Sequence, residues 1–253
     1  SPWAPMHGFY YFYSFFTGPY FTRILGNTIW LNCLLIFWGF PMPIIFALML
    51  NEVRVDWFKK GVQTITYMPH FISTVVIVGM MKELLSPTNG IVNQILMRMG
   101  HEPIYFFGKA GYFRSLYIIS GAWAGTGWGS IVYLAAIAAV DVSLYEAATI
   151  DGASRLQKIW HVTLPCIRGT MVTLLIMNLG RVMGSNFERI NAFGNVQVKD
   201  FQYQLAVYIY NKGIGAGKFS AATAVGLFQS LIGLILVLLS DKFAKKLGED
   251  GLL

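Results

Sequence analysis

Hydrophobic and polar positions fall along this chain in long blocks. They do not follow the short periods of a water-facing domain. No Asp, Glu, Lys or Arg occurs in 24–51, 61–81, 115–140 or 219–240. About 20 apolar residues, rising roughly 1.5 Å each, cross a hydrocarbon core of about 30 Å. Each block is therefore long enough to span a bilayer. A fifth block opens near Pro165 and is interrupted by Arg181. Spans are expected at about 24–50, 62–85, 115–140, 166–187 and 219–240, with Pro41 and Pro43 kinking the first. A backbone in lipid must satisfy its own hydrogen bonds, and the even alternation of a closed barrel is missing. The expected fold is all-α, a polytopic transmembrane helical bundle.

The segments between the blocks have characters of their own. Residues 1–22 are rich in aromatics, Phe9 to Tyr13 among them, which suits an interfacial segment at headgroup depth. In 86–114, Ile91, Ile95, Leu96 and Met99 recur at helical spacing and predict a short surface helix. Leu156, Ile159, Trp160 and Leu164 do the same opposite Arg155 and Lys158, as in a helix lying along a membrane surface. The stretch from 188 to Lys218 reads as a polar loop.

Composition agrees with a lipid solvent. Of 253 residues, 55% are hydrophobic and only 12% charged, about half the 25% usual in soluble domains. The net charge of +7 is explained by topology, with no need of nucleic acid. Segments 51–60, 141–169 and 241–253 hold nine Lys/Arg in 52 residues, and the opposite-side segments 1–27, 86–114 and 185–218 hold eight in 90. The denser side is expected to be cytoplasmic. That puts 141–169 and the C-terminus in the cytoplasm. Five spans and an outside start would strand the N-terminus, so a further span ahead of residue 1 is expected. The opening lacks the basic region and short apolar core of a signal peptide. Cys33 and Cys166 fall at different depths, and no metal-ligand spacing occurs. There is no P-loop, HExxH, paired Asp motif or nucleophile elbow, so enzyme chemistry is not expected. A gradient-driven transporter would need carboxylates within the spans, and only Glu83 comes near one, at its end.

The most informative segment runs Glu146, Ala147, Ala148, Thr149, Ile150, Asp151, Gly152, Ala153 and on to Val162, Thr163, Leu164, Pro165. It predicts a short helix, a glycine break, a second short helix, and a proline opening the next span. Gly152 can take positive φ without steric cost, and the small alanines let another protein approach closely. This pattern resembles the EAA loop of ABC importer permeases, with no gap in the spacing. Tyr67 to Ser73, Leu85-Ser86-Pro87 and Ala222 to Phe228 are similar to the subgroup importing complex sugars and polysaccharide fragments. The departure is Gly169, where many relatives have a second proline.

The resemblance implies a single transmembrane permease domain over 1–253, with a coupling loop at 141–165. It implies contact with a separate ATPase through Glu146, Ala147, Ala148, Asp151, Gly152 and Ala153, closed by Leu164 and Pro165. It further implies a second permease subunit, expected to be a related but different chain, two ATPase subunits, and a periplasmic or surface solute-binding protein. No cofactor is expected in this chain, since ATP and Mg would sit on the ATPase. The cargo would be an oligosaccharide or polysaccharide fragment, anionic alginate-like ones included.

Polar residues inside the spans suggest a path. Asn178, Arg181, Ser185 and Glu188 are spaced to share one face if the helix is continuous. An Arg at mid-bilayer costs about 2.5–3.5 kcal/mol on insertion scales, so it faces a cavity or a partner. Either Arg181 offers donors to sugar carboxylates or hydroxyls, or it snorkels or pairs with Glu188. Trp123 and Trp128 could meet sugar C–H faces, while Gly121, Gly125, Gly127 and Gly129 between them suit close helix packing. His70, after Pro69, is expected in a structural polar contact.

Overall fold

The structure is a computed structural model describing residues 7–184 and 186–246, with Gly248 and Gly251 beyond them. Among the described residues all regular structure is helical. Helix α1 (His7–Phe16) leads into α2 (Phe21–Gly39) and α3 (Pro41–Glu52). Pro41 sits in the first turn of α3, where its missing N–H costs nothing. Helix α4 (Asp56–Tyr67) and a 3₁₀ turn (Met68–Phe71) precede α5 (Thr74–Leu84). The surface helix expected in 86–114 is α6 (Ile91–Arg98). Buried Asn93 anchors it, its amide donating to the Leu85, Ser86 and Ile104 carbonyls, each at 3.0 Å, and accepting from the Ile104 N–H at 2.7 Å. The long α7 (Ala110–Ala138) follows, then α8 (Val142–Ile150) and α9 (Arg155–Lys158). A π-turn (Ile159–Thr163) joins α9 to α10 (Leu164–Cys166), and α11 (Arg168–Gly180) comes next. The chain ends in α12 (Phe187–Phe193), α13 (Lys199–Gln202), α14 (Leu205–Tyr210) and α15 (Phe219–Lys246).

Among the described residues, two helical stretches, Phe21–Glu52 and Phe219–Lys246, are each long and apolar enough to cross a membrane. Counting each sharply bent helix pair as one span raises the number to five, which matches the five blocks. Two expectations need correcting. The block at 166–187 is not one helix: α11 stops at Gly180, and a turn over Arg181–Met183 separates it from α12. The Gly184 N–H closes that turn on the Arg181 carbonyl at 2.8 Å. Asn186 then starts α12 by accepting from the Arg189 N–H at 3.0 Å. The supposed polar loop up to Lys218 is largely helical, because Ile190, Phe193, Val198, Leu205 and Val207 in it are buried.

The chain divides into two compact units. One comprises the chain up to Leu35, Ile72–Ser120 and Gly180–Leu236. Its core includes Phe107, Phe113, Tyr117, Ile190 and Phe193. In the N-terminal aromatic segment, over 7–16, Phe15 is buried while Phe9, Tyr10 and Tyr13 are exposed. Residues 1–6 lie outside the described residues.

The other unit comprises Ile36–Phe71, Gly121–Leu179 and the chain from Val237. Ile44, Ala47, Tyr133, Ile137 and Ile167 form its core. Two of the span glycines, Gly127 and Gly129, serve packing here, whereas a Cβ on Gly125 would meet nothing within 4 Å. A Cβ on Gly127 would run into the Thr66 carbonyl, and one on Gly129 would come within 3.1 Å of Pro43.

Candidate functional site

The 141–165 segment folds as its sequence predicts, by identifiable local devices. Asp141 caps α8, accepting from the Ser143 N–H at 2.9 Å, and that bond holds its carboxyl below the usual carboxylate range. The axis turns by 71° between 111–138 and α8. At the far end Gly152 adopts φ +78. The Ala153 N–H reaches the Ala148 carbonyl at 2.9 Å and the Gly152 N–H reaches Thr149 at 3.1 Å. This is a Schellman closure, which needs a left-handed residue at Gly152. Ser154 then opens α9 with a capping box, its N–H donating to Gln157 Oε1 at 2.7 Å. Pro165 has no N–H to give the preceding turn, and the chain widens into the π-turn just before it. A further bend of 62° leads from 155–166 into α11.

Two side-chain bonds, which no local pattern signals, fasten the two arms of this loop. Tyr145 Oη and Thr163 Oγ1 lie 2.9 Å apart, with Thr163 buried. Lys158 Nζ donates to Thr149 Oγ1 at 2.7 Å. The two bonds tie α8 to the segment 158–163 on the other arm of the loop. Losing the tyrosine hydroxyl should cost about 1 kcal/mol, or roughly fivefold in local opening. Tyr145→Phe is expected to speed amide hydrogen exchange over 147–153 by that factor while α7 and α11 are unchanged.

None of α8 is buried. Ile150 is 87% exposed and Val142 65%. Glu146, Ala147, Asp151, Gly152 and Pro165 are exposed, with Ala148, Ala153 and Leu164 partly covered. Among the described residues Glu146 makes no side-chain hydrogen bond or ion pair. On the opposite side, Leu156, Ile159, Trp160 and Leu164 face an apolar groove of about 840 Å³ shared with Ile44, Leu48 and Met49 of α3. The helix expected to lie along a surface thus has an oily face and a polar one.

The residues expected to line a path are not gathered on one helix face. Asn178 is partly buried on α11 and donates to the Leu174 carbonyl at 2.9 Å. Arg181 is exposed in the turn after α11, and Glu188 is exposed on α12. Ser185 lies outside the described residues. The helix break at Gly180 is the reason the 3-4-3 spacing does not produce a stripe. Arg181 and Glu188 form no ion pair among the described residues. Trp123 and Trp128 are both about half exposed, at 50% and 44%. His70 makes a contact of another kind than expected: its ring stacks flat on Trp128 at 4.5 Å, with Phe71 edge-on to the same indole at 5.4 Å. Tyr67-Met68-Pro69-His70-Phe71 delivers that platform because Pro69 is buried and the 3₁₀ turn projects the next two rings.

Residues 39–249 match the protein family described as "Binding-protein-dependent transport system inner membrane component". Over 252 residues the chain is 44% identical to the polygalacturonan/rhamnogalacturonan transport system permease protein YteP of Bacillus subtilis (strain 168), covering 100% of this chain and 78% of that one. It is 40% identical to Protein LplB of the same strain, with the same coverage. A crystal structure of a bacterial alginate ABC transporter, in complex with an alginate pentasaccharide-bound periplasmic protein, contains a similar chain. The TM-score is 0.92 at 39% identity, over 96% of this chain and 85% of that chain.

Proposed function

Because the chain belongs to the family of binding-protein-dependent transport system inner membrane components, we propose that it forms half of the path through which an acidic oligosaccharide enters a bacterial cell. As a permease subunit of an ABC importer it is not itself a catalyst, and ATP is hydrolysed by a separate subunit. Membership also implies a partner permease and a solute-binding protein. The partner is proposed to be a different, related chain. The 141–165 loop and the C-terminus are proposed to face the cytoplasm.

The observation supporting the coupling role is the uncovered helix α8, closed by Gly152 in the left-handed conformation and tied to its neighbour at Thr149 and Thr163. A bent, rigid, unburied element leading directly into α11 suits a lever seated on a moving partner. Glu146, Ala147, Ala148, Asp151, Gly152 and Ala153 would meet the ATPase, and Leu164 and Pro165 would pass the motion to α11.

For the substrate, the supporting resemblance is to permeases whose names specify polygalacturonan/rhamnogalacturonan and alginate. The proposed path residues are taken in each unit by itself: in one, exposed Arg181, with no acid partner among the described residues, with Ser185 and Glu188 near it in sequence; in the other, the Trp128–His70 platform, with Trp123 and Asn178. A charge-assisted hydrogen bond is worth about 1.5–3 kcal/mol, or at least tenfold. Arg181→Ala should lower uptake of an acidic oligosaccharide about tenfold and that of a neutral one much less. The assay is uptake by proteoliposomes holding the complete importer with its binding protein. Equal losses for both substrates would remove Arg181 from the path. No uptake of any oligosaccharide by the unaltered importer would overturn the substrate assignment.

A further inference from the structure

Charge is divided unevenly between the two units. The one containing α12 has ten Lys/Arg against four Asp/Glu, while the one containing α8 has nine against eight. Nearly all of the chain's net +7 therefore resides in the first. Among its described residues the ion pair found is Arg23 with Asp200, at 2.7 Å.

Three of its cations rest on aromatic rings instead. Lys82 Nζ lies 5.7 Å from the Phe107 centroid and donates to the Ala192 carbonyl at 2.9 Å. The Arg114 guanidinium is 5.2 Å from Phe201, and that of Arg189 is 5.9 Å from Tyr117. These rings belong to one packed cluster. Phe107 stacks on Phe193 at 5.5 Å, Tyr117 meets Phe193 at 6.0 Å, and Phe201 packs against the same core. An aromatic face orients a cation without neutralising it. Burial pushes the Arg189 guanidinium below its ordinary pKa, so an anion drawn to it from outside would relieve a real cost. None of the three has a carboxylate within ion-pair distance among the described residues. Glu83 and Glu188, their sequence neighbours, are exposed.

We propose that Lys82, Arg114 and Arg189 form a cationic rim that takes the carboxylates of a uronic-acid oligosaccharide at the mouth of the path. The inference rests on the sugar-import reading and deepens it. In the proposed orientation all three lie on the outer side: Lys82 near the end of α5, Arg114 near the start of α7, and Arg189 on α12. Arginine's planar fork matches a carboxylate with two parallel hydrogen bonds. A net-positive entrance also concentrates a polyanion by long-range attraction that salt weakens.

The test uses the complete permease–ATPase complex in nanodiscs of neutral lipid, without the binding protein. Binding of fluorescent pentagalacturonate is measured beside its fully methyl-esterified form, which keeps the rings and removes the charges. The acid should bind at least tenfold more tightly than the ester, and less tightly as salt rises. Arg189→Gln and Arg114→Gln should each weaken the acid about tenfold and leave the ester unchanged, whereas Arg189→Lys, which keeps the charge and loses the fork, should weaken the acid less than Arg189→Gln does. Equal affinity for acid and ester, or a triple Lys82→Gln, Arg114→Gln, Arg189→Gln variant that binds like the parent, would overturn the proposal. So would displacement of the sugar by phosphatidylglycerol in the nanodisc, which would make the rim a lipid-phosphate site. Uptake by the complete importer with its binding protein is scored separately. If uptake persists while the acid shows no preference, the rim fails and the import reading stands.

Discussion

Gly152→Val should leave an importer that assembles in the membrane but no longer hydrolyses ATP in response to loaded binding protein. Gly152 sits at φ +78, and no atom lies within 4 Å of the place a Cβ would take. The damage would therefore come from the backbone alone. A β-branched residue in that region costs about 1–3 kcal/mol, comparable to the bonds from Ala153 and Gly152 that close α8. The chain relieves the strain by opening the Schellman closure, which changes the angle between α8 and α9 and frees the lever. Asparagine tolerates the left-handed region, so Gly152→Asn should keep most of the stimulated activity. Stimulated ATPase and uptake, measured on the same proteoliposomes, give the answer. Equal behaviour of the valine and asparagine variants would mean that the turn's geometry is irrelevant to coupling.

Glu146→Lys should have a comparable effect by another route. Glu146 is exposed and makes no side-chain hydrogen bond or ion pair among the described residues, on a helix none of which is buried. Its charge is free to meet a cation on the ATPase. Breaking a buried, hydrogen-bonded charge pair at an interface costs about 2–5 kcal/mol, and like-charge opposition adds several more. Docking should weaken by at least a hundredfold, while Glu146→Gln, which only removes the charge, should fall between. Pull-down of the ATPase by membranes carrying each variant checks the order. A lysine variant that retains the ATPase as the parent does would place Glu146 outside the interface.

Much of this was legible in the sequence, for physical reasons that differ from element to element. The spans stood out because a bilayer demands about 20 uncharged residues at a time, a signal that survives any detail of packing. The shape of 141–165 could be read because its devices are local: an Asp cap, a glycine turn, a Ser/Gln box and a proline, each within five residues of its partner. The break after Gly180 was missed although Gly184 and Asn186 announce it. The polar spacing 178, 181, 185, 188 imitates a helical face, which hides the break. A Cβ on Gly233 of α15 would come 2.7 Å from the Gly180 carbonyl, so a residue more than fifty positions away packs against that helix end. The His70–Trp128 stack and the Tyr145–Thr163 bond join residues far apart in the chain, and no periodicity encodes them. The stretch 187–215 looked polar because its buried residues, Ile190, Phe193, Val198, Leu205 and Val207, are too irregularly spaced to show a face.

The central claim is that α8 is the surface on which a separate ATPase sits. Ile150, 87% exposed at the tip of the loop, tests it without disturbing the fold. A photo-reactive amino acid at this position, in the assembled importer in native membranes, should cross-link to the ATPase subunit, and nucleotide should change the yield. Cross-links confined to lipid or to the partner permease, with none to the ATPase in any nucleotide state, would contradict the account.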